Sequence, residues 1–337
     1  MATQNATTYF SYLSKSSYII LQSLYLPIGC SSIVGNSIVL LSYFKFKQVR
    51  SIDCALLIVA LALSDLICGV GAIIIGLARL ETAVLNDFNY SRFFCIFSAV
   101  PNIIGIEMSQ VMTMAVAIDR LLAVSSPLTY RKSNHRLYAA VSFLIALLSG
   151  GVILLMSVVG FDFNKQPSRC SWTSGVHTIS VNIFVGSNAL AGPIVAVIYA
   201  VVVYKQRKWN TQNVAGRMDQ STKKFLANQA KMTSILTKLV IIYCTLVAVP
   251  LTTMELWTIL DISPVFTSNV LSPLRNIAMS LNSAVNVLVY AHSSSNLRPF
   301  LLRLLCGKRV AAACAPATRV TAAPHHTMPI NSPTNGL

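Results

Sequence analysis

Seven long apolar stretches, separated by short polar segments, run through the chain near positions 18–44, 52–78, 94–125, 137–160, 176–204, 232–260 and 270–291. At about 1.5 Å of rise per residue, each reaches across the ~30 Å hydrocarbon layer of a bilayer as an α-helix. The pattern predicts an all-α membrane protein, a bundle of seven transmembrane helices over residues 18–306. Residues 1–17 are polar and precede an apolar run too long for a signal peptide and closed by Lys45, Lys47 and Arg50, so an uncleaved anchor is expected. Between Asn296 and Cys306 the segment NLRPFLLRLLC sets Phe300, Leu301, Leu304 and Leu305 along one stripe with Arg298 and Arg303 beside it. That spacing suits a short amphipathic eighth helix lying in the membrane interface. Cys306 at its end is a candidate for palmitoylation or a free thiol. Residues 307–337 are dominated by Ala, Pro, Thr and Ser without apolar period and read as a disordered tail.

Composition narrows the class. Apolar residues make up 54% of the 337, charged residues 11%, and the mean hydropathy is +0.64, against roughly a quarter charged in soluble proteins. A soluble domain of this size cannot bury seven such runs in one core. Fifteen Gly and 13 Pro exclude a collagen-like chain, and 8 Cys spread over this length do not make a disulfide framework.

The net charge of +16 raises the question of nucleic acid, which its distribution answers. With seven crossings, 20 of the 26 Lys and Arg fall on one side of the membrane, in the loops after spans one, three and five, in the tail, and at helix ends as Arg120 and Lys238. By the positive-inside rule that side is cytosolic and the N-terminus is external, in a multi-pass plasma-membrane protein. The excess is a topology signal with attraction to anionic lipid as its by-product, and implies no nucleic-acid partner. The glycosylation sequons at Asn5 and Asn89 fall on the expected outside.

Polar groups at mid-membrane cost roughly 2.5–3.5 kcal/mol on insertion scales, so each needs a partner. Asp65 is the acid deep in span two; span one holds Asn36, span three Glu107 and Ser109, and span seven Asn282, Ser283 and Asn286. Asp65 should face the bundle and meet these oxygens and amides directly, through water, or through a cation. The arrangement is either a switch or a structural polar knot worth about 0.6 kcal/mol per contact. Cys95 and Arg120 are 25 residues apart in span three, about 37 Å of helix, which sets one at each membrane face. Cys170, between spans four and five, is the other extracellular cysteine on this topology, so a Cys95–Cys170 disulfide or two free thiols are the alternatives.

Several motifs then fall in order: Gly35-Asn36, LALSDL around Asp65, Asp119-Arg120-Leu121 with Pro127 seven residues on, and Asn286-Val-Leu-Val-Tyr290. Together they resemble rhodopsin-like G-protein-coupled receptors. The stretches GNSIVLLSYFKFKQVRS, ALSDLICG and AIDRLLAVSSPLTYR are similar to the nematode serpentine chemoreceptors of the SX class. The resemblance implies a receptor that binds an extracellular chemosensory cue or neuropeptide and activates a heterotrimeric G protein when span six swings outward. It implies no catalytic residues and no resident cofactor beyond an allosteric Na+ on Asp65, Ser109, Asn282, Ser283 and Asn286, oxygen donors that suit a hard cation. It further implies that Arg120 pairs with Asp119 at rest and meets the G protein in the open state. Leu128 would pack on the G-protein alpha subunit, Pro250 would kink span six, and Asn286 and Tyr290 would support the open form.

Departures from the family pattern stand beside the matches. Span six reads Val247-Ala248-Val249-Pro250 where a Trp normally precedes the Pro, span seven has Val287 in place of Pro, and span four lacks its Trp. Eight residues after Pro193, where the family has Tyr, stands Val201. Ala230-Lys231 at the inner end of span six cannot supply an acid to Arg120, so appreciable basal signalling is expected. The ligand candidates are Arg79, Asn102, Glu107, Trp172, Glu255, Trp257, Arg275 and Asn276. Asn102 stands where amine receptors carry an Asp, which disfavours a monoamine held in the usual way. Glu107 is either a counter-charge one and a half turns deeper or a structural hydrogen-bond acceptor. No Lys lies between Val270 and Tyr290, which excludes a retinal Schiff base there. A seven-helix channel or transporter and a non-coupling decoy receptor are the alternatives. An enzyme is not expected, since no HExxH, paired membrane aspartates or Ser-His pair appears in the spans.

Overall fold

The computed structural model describes residues 14–50, 54–85, 91–159, 172–212, 220–245, 249–250, 252–253 and 271–293. Among them every regular element is helical. Seven long helices follow the apolar runs: α1 Lys15–Lys45, with a turn at Leu24, α2 Ala55–Leu85, α3 Arg92–Ser125, α4 His135–Val158, α5 Thr178–Gln212, α6 Gln220–Tyr243 and α7 Ser272–Ser293. Helices α1 to α5 are each long and apolar enough to cross a bilayer. The amphipathic segment 296–306 and the tail lie outside the described residues.

Local chemistry sets the helix starts. Ser14, Ser91 and Asn134 cap α1, α3 and α4, their side-chain oxygens accepting from the backbone N–H groups of Ser17, Phe94 and Leu137. Pro127 at the first position opens a short helix, Pro127–Lys132, after α3. Large apolar side chains such as Leu144, Leu148, Leu155, Ile183, Leu190 and Val197 remain exposed on α4 and α5, the outward faces a lipid-solvated bundle presents.

Packing places α3 in the middle. Sequential neighbours touch from α1 to α7, α7 closes the ring against α1 and α2, and α3 meets α2, α4, α5, α6 and α7. The α2–α3 crossing depends on two glycines. A Cβ on Gly71 would lie 2.1 Å from the Asn102 nitrogen, and one on Gly105 would lie 2.3 Å from the Cys68 nitrogen. In lipid, where helices gain little by hiding apolar surface from one another, such backbone contact carries van der Waals packing. We expect Gly105→Ala to force the helices apart and cost about 1–3 kcal/mol, read as a lower melting temperature in detergent. Unchanged melting would show that the crossing yields without penalty.

Candidate functional site

Two polar assemblies sit at different depths along α3. The deeper begins at Asp65, fully buried on α2. Ser109 on α3 donates its hydroxyl to Oδ1 at 2.6 Å, and Asn286 on α7 donates Nδ2 to Oδ2 at 2.7 Å. One carboxylate thereby ties three helices through charge-assisted bonds, the stronger class of hydrogen bond. Ser32 on α1 donates to the Asp65 carbonyl at 2.9 Å. Asn36 donates to the carbonyls of Ser32 at 2.9 Å and Ser283 at 3.2 Å, which joins α1 to α7. All these side chains are buried, so each bond replaces one that water cannot supply.

Beside Ser109 opens a cavity with about 20 Å³ for a water-sized body, enough for one water molecule or small ion. Its polar walls are Ser109, Gln110, Asn188, Tyr243, Asn282 and Ser283. The Oδ1 atoms of Asn188 and Asn282 have no hydrogen-bond partner. Gln110 Nε2 donates to the Asn188 carbonyl and to the Tyr243 hydroxyl, both at 3.1 Å, and Asn188 Nδ2 donates to Glu107 at 3.1 Å. A polar chain thus runs from α6 through α3 and α5 to the half-buried Glu107. Gln110, Asn188 and Tyr243 were overlooked by the sequence reading, although Gln110 and Asn188 obey the rule that singled out Asp65, a polar side chain within an apolar run.

The second assembly closes the other end of α3. Arg120 is fully buried and ion-paired with Asp119, its Nε donating to Asp119 Oδ2 at 2.9 Å. Tyr130, from the short helix Pro127–Lys132, completes a triad: its hydroxyl accepts from Arg120 Nη2 at 2.8 Å and donates to Asp119 Oδ1 at 3.1 Å. The Arg120 guanidinium also lies 5.8 Å from the Tyr130 ring centroid. Burial pushes the Tyr130 phenol above its ordinary value, so it keeps the proton it donates. Leu128, two residues earlier, is 66% exposed and available to a partner. Val201 points outward, whereas Tyr199 is buried, lies within electrostatic reach of Arg120 and Asp119, and has a hydroxyl without a hydrogen-bond partner. At the same end Gln206 on α5 donates to the Ala230 carbonyl of α6 at 3.3 Å.

The chain matches the serpentine type 7TM GPCR chemoreceptor Srsx family across residues 29–305, from within α1 to beyond the end of α7. It belongs to that family. The receptor is also similar to trace amine-associated receptor 6 of Homo sapiens, 22% identical over 62% of this chain and 63% of that one. Similar too are an octopamine receptor of Bombyx mori, 28% identical over 38% of this chain and 25% of that one, and cannabinoid receptor 1 of Taricha granulosa, 25% identical over 48% and 33%. The receptor therefore spans a little under two thirds of the length of the trace amine-associated receptor it matches.

Of the other candidates, Asn102 is buried on α3 with Nδ2 donating to the Cys68 carbonyl at 3.1 Å and to Ser280 Oγ at 3.2 Å. Trp172 is buried against Phe184 and donates its indole N–H to Ser157 at 2.8 Å. Arg79 lies within hydrogen-bonding distance of Gln22, and Arg275 of Asn276. Pro250 is half-buried. Cys95 is disulfide-bonded. Asn5, Asn89, Cys170, Glu255, Trp257 and Cys306 lie outside the described residues, as does the side chain of Tyr290.

Proposed function

We propose that this receptor binds an extracellular chemical cue between its helices at the Cys95 end and activates a heterotrimeric G protein at the Arg120 end, which faces the cytosol. The observation that carries the reading is the Asp119–Arg120–Tyr130 triad. It folds the guanidinium inward, to be released only if the surrounding helices separate. Outward movement of α6 accomplishes that release, and the ligand favours it by binding the open form more tightly than the closed one. Membership of a GPCR family supports receptor action, and the amphipathic 296–306 segment suits contact with membrane lipid.

The closed state is weakly held. Ala230 and Lys231 give α6 no acid for Arg120, and the family's Trp is absent at Ala248. In its place the Gln110–Tyr243 bond couples α6 to α3. The receptor should therefore promote GDP–GTP exchange without ligand. Co-reconstituted with a heterotrimeric G protein, it is expected to exceed receptor-free vesicles several-fold. Tyr130→Phe, which frees Arg120 of one hydrogen bond to a charged group worth about 1.5–3 kcal/mol, should raise that basal rate further, by roughly 10-fold or more until the open form predominates. Exchange equal to receptor-free vesicles in both proteins defeats the coupling reading and leaves the decoy.

Na+ suits the deep assembly. Ser109, Asn282 and Ser283 offer side-chain oxygens to a cavity of fitting size, and Asp65, with Asn286 bonded to it, adjoins that cavity through its bond to Ser109. Ser109 and Asn286 bond one Asp65 oxygen each, and an ionised carboxylate has about four lone-pair sites, so acceptor capacity remains for a cation. A bound Na+ would hold α2, α3 and α7 together and so favour the closed form. Cys95 is disulfide-bonded, and pairing with Cys170 would tie the loop before α5 to the outer end of α3.

A further inference from the structure

Halfway along α3 one ionisable side chain stands where the bundle opens to lipid. Glu107 is 12 residues after Cys95 and 13 before Arg120, about 18 Å and 20 Å of helix, which sets it near the bilayer midplane. Ile104, Glu107, Val111, Met114, Ile118 and Leu122 follow one another at intervals of three or four residues, the spacing of a single helix face. The first four are half-buried, while Ile118 and Leu122 are 38% and 48% exposed. Glu107 apart, the stripe is apolar. It lies in the seam between α4 and α5, since Glu107 meets Asn188 of α5 and its neighbour Met108 lies against Gly150 of α4. Those two helices touch each other only sparingly, so α3 shows between them.

The Glu107 carboxyl is only half served. Asn188 Nδ2 donates to Oε2 at 3.1 Å. Among the described residues Oε1 has no hydrogen-bond partner, and the protein does not enclose it. Nor does any Lys or Arg among the described residues pair with this acid. The Oδ1 of the same Asn188, itself fully buried, also lacks a partner. Two hydrogen-bonded side chains therefore each present an acceptor without a donor, at a depth where an unpaired carboxylate is costly. What the place lacks is a donor, and the acid fixes the sign of its charge as positive.

We propose that the seam of α3, α4 and α5 at Glu107 is a binding site, entered from the membrane, for a small lipophilic amine. It goes beyond the receptor reading, whose ligand enters at the Cys95 end, and it holds whether or not the receptor couples. A primary ammonium carries three N–H donors. Glu107 Oε1 and Asn188 Oδ1 accept two of them, and the apolar stripe takes the hydrocarbon body. Entry carries no charge through hydrocarbon alone. An isolated carboxyl in such surroundings keeps its proton, and a neutral amine dissolves in the bilayer. On contact the Glu107 O–H bond breaks, its proton joins the nitrogen lone pair as a new N–H bond, and carboxylate and ammonium arise together as one hydrogen-bonded pair. Asn188 Nδ2 still donates to the carboxylate, now as a charge-assisted bond. Depth excludes a phospholipid headgroup as the source of the amine, since headgroups stay about 15 Å away at the membrane faces. Asn188 also holds Gln110, which holds Tyr243, so hydrogen bonds link the site to α6.

The test uses the full-length receptor in phosphatidylcholine nanodiscs, with octylamine hydrochloride as probe and octanol in equimolar KCl as its neutral twin. At about 1 mM, octylamine should raise the melting temperature by about 2 °C or more over octanol. Glu107→Gln keeps an acceptor, loses the acid, and should erase the difference. Glu107→Leu should erase it too and, with no acid left to seat in hydrocarbon, secures a folded comparison. Equal melting of the wild type in the two probes overturns the site and leaves Glu107 a structural acceptor for Asn188. A difference that survives in either variant is an effect of charge on the bilayer and overturns the site equally. Ligand-free nucleotide exchange, measured on the same preparation, separates this site from the coupling. Exchange without an octylamine shift removes only the amine site, and a shift without exchange removes only the coupling.

Discussion

Replacing Arg120 by Ala is expected to bring nucleotide exchange on a reconstituted G protein down to the level of receptor-free vesicles, a loss of the whole several-fold basal excess. Two effects compete. Removing the guanidinium abolishes the ion pair with Asp119 and the hydrogen bond to Tyr130, which loosens the closed form and by itself would raise exchange. It also deletes the cation that the open crevice presents. Loosening can at most fill the open population, whereas losing the contact lowers the productivity of every open molecule, so the second effect wins. Tyr130→Phe loosens the same triad and keeps the cation. The two ends of one 2.8 Å hydrogen bond should therefore respond with opposite signs. Arg120→Lys guards against misfolding: it keeps the charge, loses the fork, and should give intermediate exchange. If Arg120→Ala and Tyr130→Phe both raise exchange, the triad is a lock and nothing more.

The second large effect belongs to Asp65. In Asp65→Ala the Ser109 hydroxyl and the Asn286 amide lose their acceptor in a dry interior, and three helices lose their common anchor. The expected cost is about 3–5 kcal/mol, a large share of the ~5–15 kcal/mol that holds a folded protein together. Most of the protein should fail to reach a monodisperse, detergent-stable form. Asp65→Asn keeps one carbonyl acceptor and should fold with a smaller loss. It also removes the negative charge a cation needs. In NaCl the wild type should melt above its value in choline chloride of equal ionic strength, and Asp65→Asn should melt equally in both. A sodium effect that persists in Asp65→Asn would place the cation elsewhere, and no sodium effect in the wild type would remove it altogether.

The residue pairings show how far a chain can be read before it is folded. Asp65 was recognisable as a group in need of partners because its cost in lipid is intrinsic to its charge. Ser109 and Asn286 were recognisable as suitable chemistry. Tyr130 was not, since a lone aromatic in a basic segment carries no local sign that it will turn back onto Arg120. Tyr199 shows the same limit on a single helix. The family position eight residues after Pro193 is Val201, which faces outward, while the buried phenol sits two residues earlier. Two residues rotate a side chain by about 200° around an α-helix, so a small difference in register exchanges an outward for an inward residue.

The amino-acid order by itself determined that the chain is a seven-helix membrane protein of the serpentine receptor kind, because hydropathy, helix length and the placing of Lys and Arg act locally along each segment. Only the tertiary structure decided which polar groups meet. Ser109 lies 44 residues from Asp65 and Asn286 lies 221. Their encounters depend on the rotation of each helix about its axis and on how closely two backbones approach at Gly71 and Gly105. Those quantities are set by side chains interlocking across helices, and no single segment contains them.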